Sequence, residues 1–285
     1  MRINTNVASL NSMESATNTQ NNLRNSLEKL SSGLRINKAS DDASGLAIAD
    51  KLRTQASSIG QSISNGNSAV ALTQIADKAM AEQSNILDIV KTKLIQAGTD
   101  TTSQEGREAI GKDIDKLLDQ LSKIAEQTNY NGTKLLQGAT SAAAGTALTF
   151  QMGETSTDTI ETTAGVQATV TGLTLTNLKT AAATGTSAAF GASAARSSLA
   201  VVDSALNTLN GWRADFGSTQ NQLESAIRNQ MTQQTNIRAA ESVIRDVDYA
   251  AESANFNKQN IIAQAGTYAM SQSNATQQNV LRLLQ

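Results

Sequence analysis

The sequence predicts a mainly α-helical protein: long helices from the N- and C-terminal halves packed as a coiled-coil bundle, with a small β-rich insert in the centre. Three observations predict it. A heptad stripe runs through residues 199–247, helical stripes of matching step occupy the N-terminal half, and the 285-residue chain has no proline and only 3% aromatic residues. Proline breaks helix interiors. Few rings among many Ala, Ser, Thr, Asn and Gln suit closely packed long helices better than a bulky globular core.

Taken in order, Ile3, Val7 and Leu10 precede a leucine stripe at Leu23, Leu27, Leu30 and Leu34. Gly33 and the run Ser40-Asp41-Asp42-Ala43-Ser44-Gly45 interrupt that helix. Ser40 or Asp41 is the expected N-cap of the next one, whose positive end favours the acids. Leu52, Ala56, Ile59 and Ile63 open the second helix in 4-3-4 steps, and Ile75, Ala79, Ile86 and Ile89 lie on a further run in similar phase. After a loop rich in Thr, Ser and Gly (Gly98 to Gly106), Ile110, Ile114, Leu117, Leu121 and Ile124 form a third stripe. Asn129-Tyr130-Asn131-Gly132 ends it, because Asn-Gly favours a turn with positive φ. Three long helices with matching stripes can bury them against one another.

The centre, residues 139–195, is Ala, Thr, Gly and Ser with almost no charge. Leu148, Phe150 and Met152 alternate with polar neighbours, as do Val166, Ala168 and Val170, and Leu173 and Leu175 continue the period after Gly172. These predict short strands. The stretch from Thr180 to Ala195 has no clear period and predicts a loop.

The C-terminal half carries the longest signal. Val202, Leu209, Phe216, Leu223, Gln230, Ile237 and Ile244 follow one another at seven-residue steps, apolar at every position but one. The companion row, Leu199, Leu206, Arg213, Gln220, Ile227, Gln234 and Glu241, is mixed. Polar residues in a seam cost stability but fix register. Trp212 and Phe216 read as packing residues. Ala251, Ala254, Ile261, Ala265, Tyr268 and Ala275 keep the helical step to the end, with Ile262, Ala269, Leu283 and Leu284 widening the face. A helix apolar over so broad an arc has more than one neighbour, and in so polar a chain the extra neighbours are expected from other molecules. The expected organisation is residues 1–42 with 246–285 as terminal helices, 43–138 with 196–245 as a helical shell, and 139–195 as a short β/loop insert.

Composition argues against most chemistry. With no Cys there is no disulfide framework or thiolate nucleophile, and with no His there is no Ser-His-Asp triad or imidazole zinc site. No catalytic, cofactor-binding or metal constellation can be assembled, so the chain is expected not to be an enzyme. Asp41-Asp42 reads as a helix start rather than a metal pair, since no third ligand lies nearby. A net charge of −2 without clustered Lys and Arg argues against nucleic acid. No run approaches the roughly 18 apolar residues of a membrane span, and the N-terminus lacks the apolar run of a cleaved secretory signal.

Two stretches resemble bacterial flagellins. Leu30-Ser31-Ser32-Gly33-Leu34-Arg35-Ile36-Asn37, Asp41-Asp42-Ala43 and Gly45-Leu46-Ala47-Ile48-Ala49 are similar to the family's N-terminal signature. Ile244-Arg245-Asp246-Val247-Asp248-Tyr249-Ala250, Gln264-Ala265-Gly266-Thr267 and Gln278-Asn279-Val280-Leu281 are similar to its C-terminal one. The resemblance covers residues 1–138 and 196–285. It implies a subunit that polymerises into an extracellular filament for motility, with the terminal helices inside and a helical shell around them. The short centre implies a form without large outer domains. Within the inner core, Ile3, Val7, Leu10, Leu23, Leu27, Leu30, Leu34, Ile261, Ile262, Ala265, Ala269, Val280, Leu283 and Leu284 are the expected packing residues. Within the shell they are Leu52, Ile59, Ile63, Ile110, Ile114, Leu117, Leu121, Val202, Leu209, Phe216, Leu223 and Ile237.

The same resemblance implies partners: further copies of the chain, an export chaperone on the C-terminal end, a filament cap and hook-junction proteins, with export by the flagellar type III route. It also makes O-linked sugars on the Ser/Thr-rich centre an expectation, which the intact mass of the native protein would test. Flagellins sensed by the flagellin-specific Toll-like receptor carry Leu-Gln-Arg-Val-Arg-Glu-Leu-Ala in the first long helix. Here the run is Leu87-Asp88-Ile89-Val90-Lys91-Thr92-Lys93-Leu94, with Ile89 in place of the key arginine and Thr92 in place of the glutamate. Neither isoleucine nor lysine copies a planar multi-donor guanidinium, so weak or no receptor activation is expected. The run resembles that of the Campylobacter and Helicobacter group, as does Gln277. The zinc-binding HExxH of proteolytic flagellins is excluded by the lack of His. The alternative, a hook-filament junction protein or another secreted helical protein of this export system, fits the two terminal signatures less well.

Overall fold

A computed structural model of the chain describes residues 6–138, 145–163, 165–184 and 190–283. Among these, α1 spans Val7–Ser32, α2 Ala43–Ala97, α3 Gln104–Gln127, α4 Thr176–Thr184, α5 Ala192–Arg245 and α6 Tyr249–Leu283. Two small antiparallel hairpins pair β1 (Asn129–Tyr130) with β2 (Thr133–Lys134), and β3 (Thr149–Gln151) with β4 (Thr159–Glu161). The mainly helical prediction is correct. The chain divides into two compact units, one of residues 1–56 with 234–285 and one of residues 57–233.

In the first unit, α1 begins at Asn6, whose side chain accepts the Ser9 amide at 3.1 Å. It ends at Gly33 in the left-handed region (φ 73°), where the glycine N–H bonds back to the Lys29 carbonyl. A residue with a Cβ is strained there, and that Cβ would also lie 2.9 Å from the Tyr249 hydroxyl oxygen. The next connection is tied twice to the end of α5: the Arg35 amide donates to the Arg245 carbonyl and the Val247 amide to the Gly33 carbonyl. Leu34 and Asp246 thus form a single antiparallel bridge.

Asp42 caps α2, accepting the Gly45 amide at 2.9 Å. The expectation of Ser40 or Asp41 is corrected by one or two residues. Asp41 instead folds back on its own loop, accepting the Asn37 and Lys38 amides at 3.1 and 2.9 Å. Ile36, Ala49 and Ala56 are the buried apolar residues here.

The second unit holds the main core. Its buried stripe on α2 is Leu72, Ala76, Met80, Leu87, Val90 and Leu94, packed with Ile110, Ile114, Leu118 and Leu121 of α3 and Val202, Leu209 and Phe216 of α5. The predicted run through Ile75 and Ile89 is out of phase with this stripe. Both isoleucines are exposed, and of that run only Ile86 is fully buried. A second cluster joins Ala69, Met152, Ile160, Leu223 and Ile227. At its centre Gly66 permits the approach, since a Cβ there would meet Ile227 and Met152 at 2.8 Å.

The insert differs from the sequence expectation in four places: Leu173–Leu175 lies at a turn rather than in a strand, α5 begins at Ala192 inside the expected loop, and two further differences bear on the core. Val166, Ala168 and Val170 are buried but form no ladder. The Ala168 amide donates to the Leu136 carbonyl, and the Gln83 side-chain amide reaches the carbonyls of Ala168 (2.7 Å) and Leu121 (2.9 Å). A buried helix side chain thus supplies the partner that a neighbouring strand would have supplied. Second, Thr176–Thr184, expected to be largely loop, is helix α4, which buries Leu178 and Ala182. It packs on α3, where Gly111 sits 3.1 Å (to its would-be Cβ) from the Ala182 carbonyl.

Candidate assembly surface

The two terminal helices lie antiparallel. The Asn6 side chain reaches the Ser273 carbonyl (3.5 Å), and the Ser26 hydroxyl bonds the Glu252 carboxylate. The faces turned toward each other are Ser12, Ala16, Thr19, Leu23, Ser26 and Leu30 on α1, and Glu252, Phe256, Gln259, Ala263, Gly266, Met270 and Ser273 on α6, all partly or fully covered. Both sets advance by alternating steps of four and three, the spacing of a coiled-coil seam. Of these positions sequence reasoning named only Leu23 and Leu30 as packing residues, because most of the others are small or polar. The step itself was present, and a search for heptads of small residues would have found it.

The predicted inner-core residues divide accordingly. Leu23, Leu30 and Leu34 are half-buried within the chain. Val7 (57% exposed), Leu10, Leu27 (54%), Ile261 (66%) and Ile262 face solvent, as do Ala265, Ala269, Met13 and Tyr268 (74%). Ile3 and Leu284 lie outside the described residues, as do the side chains of Val280 and Leu283. Beside α1 an apolar groove of about 400 Å³ is floored by Leu23 and Leu27 and rimmed by Arg24 and Glu28. Glu28 is itself held by Lys38 at 2.6 Å and by the Asn37 amide group at 3.0 Å.

Of the shell residues, Ile59, Ile110, Ile114, Leu121, Val202, Leu209, Phe216 and Leu223 are buried, whereas Leu52, Ile63, Leu117 and Ile237 are half-buried. Asp88, Ile89 and Thr92 all point outward. The lysines between and beside them are engaged at home: Lys91 pairs with Asp203 (2.6 Å) and Lys93 with Asp113 (3.0 Å). Among the described residues no three Asp or Glu side chains cluster as a metal site. No described helix is long and apolar enough to cross a membrane.

The model of the bacterial flagellin N-terminal helical region matches residues 3–141, and that of the C-terminal helical region matches residues 199–284. The chain belongs to the bacterial flagellin family. Members of that family are structural subunits of the flagellar filament, and that is the function of this chain. Flagellin of Bacillus subtilis (strain 168) is 36% identical over 308 aligned positions that cover both chains completely. Flagellin B of Helicobacter pylori (strain J99) is 48% identical over 164 residues, 58% of this chain but only 31% of that longer protein. This is therefore a short flagellin. A Vibrio parahaemolyticus structure described as flagellar hook-associated aligns with a TM-score of 0.61 at 14% identity, covering 72% of this chain and 99% of that one. At that identity the likeness shows a shared fold only.

Proposed function

We propose that this flagellin polymerises through the outward faces of α1 and α6, and that its role is structural rather than catalytic. One observation carries the reading: the intramolecular seam, which sets Leu23, Leu30, Phe256 and Met270 among small and polar residues, leaves Val7, Leu10, Leu27, Ile261, Ile262 and Tyr268 in water. Exposed apolar side chains gather at protein–protein contacts, and fully burying each is worth about 1.5–3 kcal/mol. Two such faces on one subunit allow heterologous contacts that do not close on themselves, which generate a helical filament. The family's export chaperone, cap and hook-junction proteins are the further partners this reading implies. The test is a pair of substitutions, Leu27→Asp and Ile261→Asp, each at an exposed position. Both variants should keep the monomer's helical circular dichroism and fail to elongate filament seeds under conditions where the unaltered chain does. Normal elongation by both would overturn the reading.

The exposed Asp88-Ile89-Thr92 surface supports a second proposal, weak or absent activation of the flagellin-sensing Toll-like receptor. It offers no guanidinium at Ile89, and its two neighbouring lysines are already paired. Purified monomer is expected to give little signal in receptor-reporter cells, and full-strength signalling would rule the proposal out.

A further inference from the structure

The chain contains three Asn-Gly pairs, Asn65-Gly66, Asn131-Gly132 and Asn210-Gly211. Asn followed by Gly is chemically labile, because glycine lets its own amide nitrogen swing onto the preceding side chain. Whether it does so depends on the backbone. Asn65 lies within α2 and Asn210 within α5. In a helix the following N–H is committed to a carbonyl four residues back, and the helical ψ points it away from the side-chain carbon. Gly66 is further locked by Ile227 and Met152. Asn210, by contrast, is exposed, so only its helical backbone protects it.

Asn131-Gly132 is placed differently. The pair forms the two-residue turn between β1 and β2, with φ of 50° and 82°, as a primed hairpin turn requires. Both residues are exposed, and nothing lies within 4 Å of where a Gly132 Cβ would be. Each flanking strand has only two residues. Although Tyr130 packs against the core and the Leu135 amide ties the hairpin's base, its two-residue tip is exposed and opens more readily than a helix interior. An open turn frees ψ of Asn131 to bring the Gly132 nitrogen to the side-chain carbonyl carbon.

We infer that Asn131 is a site of spontaneous deamidation, and that the fold confines this modification to one of three chemically equivalent pairs. Hydroxide removes the Gly132 amide proton, and that nitrogen attacks Asn131 Cγ. The new C–N bond forms as the Cγ–Nδ2 bond breaks, and the Nδ2 group leaves as ammonia after taking up a proton. Water then opens the cyclic imide at either carbonyl, giving aspartate or isoaspartate, with no change in oxidation state. Aspartate keeps the turn, because Asp-Gly also suits it. Isoaspartate adds a backbone methylene and cannot. The change would reach the core quickly, since Leu135 and Leu136 immediately after the hairpin are buried, and the Leu135 amide donates to the Thr128 carbonyl.

The full-length monomer, folded or dissolved in urea, is incubated in mildly alkaline buffer, digested and analysed by peptide mass and isoaspartate detection. In urea the three pairs should convert at similar rates. In the folded protein Asn131 should convert about tenfold or more faster than Asn210, whose reaction waits for helix opening. Equal conversion of Asn131 and Asn210 in the folded protein, or an Asn131 that reacts only in urea, overturns the inference. The Asn131→Asp variant should remain folded and show no further mass change at this peptide, and unfolding of that variant would disprove the claim that the aspartate product keeps the turn.

Discussion

Asp41 accepts the backbone amides of Lys38 and Asn37, and these bonds, the Lys38 one foremost, hold its carboxyl below the usual 3.8. A carboxylate with a depressed folded-state value contributes stability that is complete above 3.8 and is lost as the pH falls through the folded value. Hydrogen-exchange protection of the Asn37 and Lys38 amides is therefore expected to hold from neutral pH down to about 4 and to fall below it. Replacing Asp41 by Ala should remove that protection at every pH and cost about 0.5–1 kcal/mol, the low part of the range for a lost cap, since the group is solvent-exposed. Unchanged protection in the variant would mean that the loop is held by other contacts. The adjacent acids could be recognised in the sequence as a helix start. Which one caps the helix could not, because the choice depends on how Ile36 and Gly45 meet: a Cβ on Gly45 would lie 2.8 Å from Ile36 Cδ1.

Among the elements, α4 shows where periodicity reasoning ends. Thr176–Thr184 has too few apolar residues to display a helical period over its nine positions, and helices this short are not stable alone. It exists because Leu178 and Ala182 are buried against α3 in the main core. Truncating Leu178, which is 2% exposed, to Ala should cost about 2–4 kcal/mol in urea unfolding. A cost below about 1 kcal/mol would show that α4 adds little to the core. The stripes on α3 and α5 were legible because each buries a row of aliphatic side chains in one continuous core. Those on α1, α6 and the middle of α2 were legible in period but only partly in phase. The row through Ile75 and Ile89 and the row through Leu72 and Leu87 both keep a helical period, and only packing decides which row goes inside.

For the whole molecule, the aliphatic core lies in residues 57–233, whereas the paired ends meet through a seam in which Leu23, Leu30, Phe256 and Met270 are interspersed with small and polar residues. Most seam positions are small or polar and its large side chains are only half-buried, so the ends gain less apolar burial from pairing within one chain than the core does. A fragment of residues 57–233 is expected to fold alone, unfold in one transition with a stability of about 5–15 kcal/mol, and not polymerise. In the full monomer, amides of 57–233 should exchange slowly and those of α1 and α6 fast. Equal protection throughout would show that the ends are ordered before assembly.

By itself the sequence determined the helical class, the heptad step of every long helix, the turn at Asn131-Gly132 and the resemblance at both ends. These are properties of local chemistry and spacing, and spacing needs no partner to be read. The tertiary structure decided the phase. It placed Leu72 and Leu87 inside and Ile75 and Ile89 outside, made a helix of Thr176–Thr184, and set Leu23, Leu30, Phe256 and Met270 in the seam between α1 and α6 while Val7, Leu27, Ile261 and Tyr268 were left in solvent. The reason is that a helix with apolar residues on two faces does not specify which face meets which neighbour. The answer depends on the shape of the opposing surface.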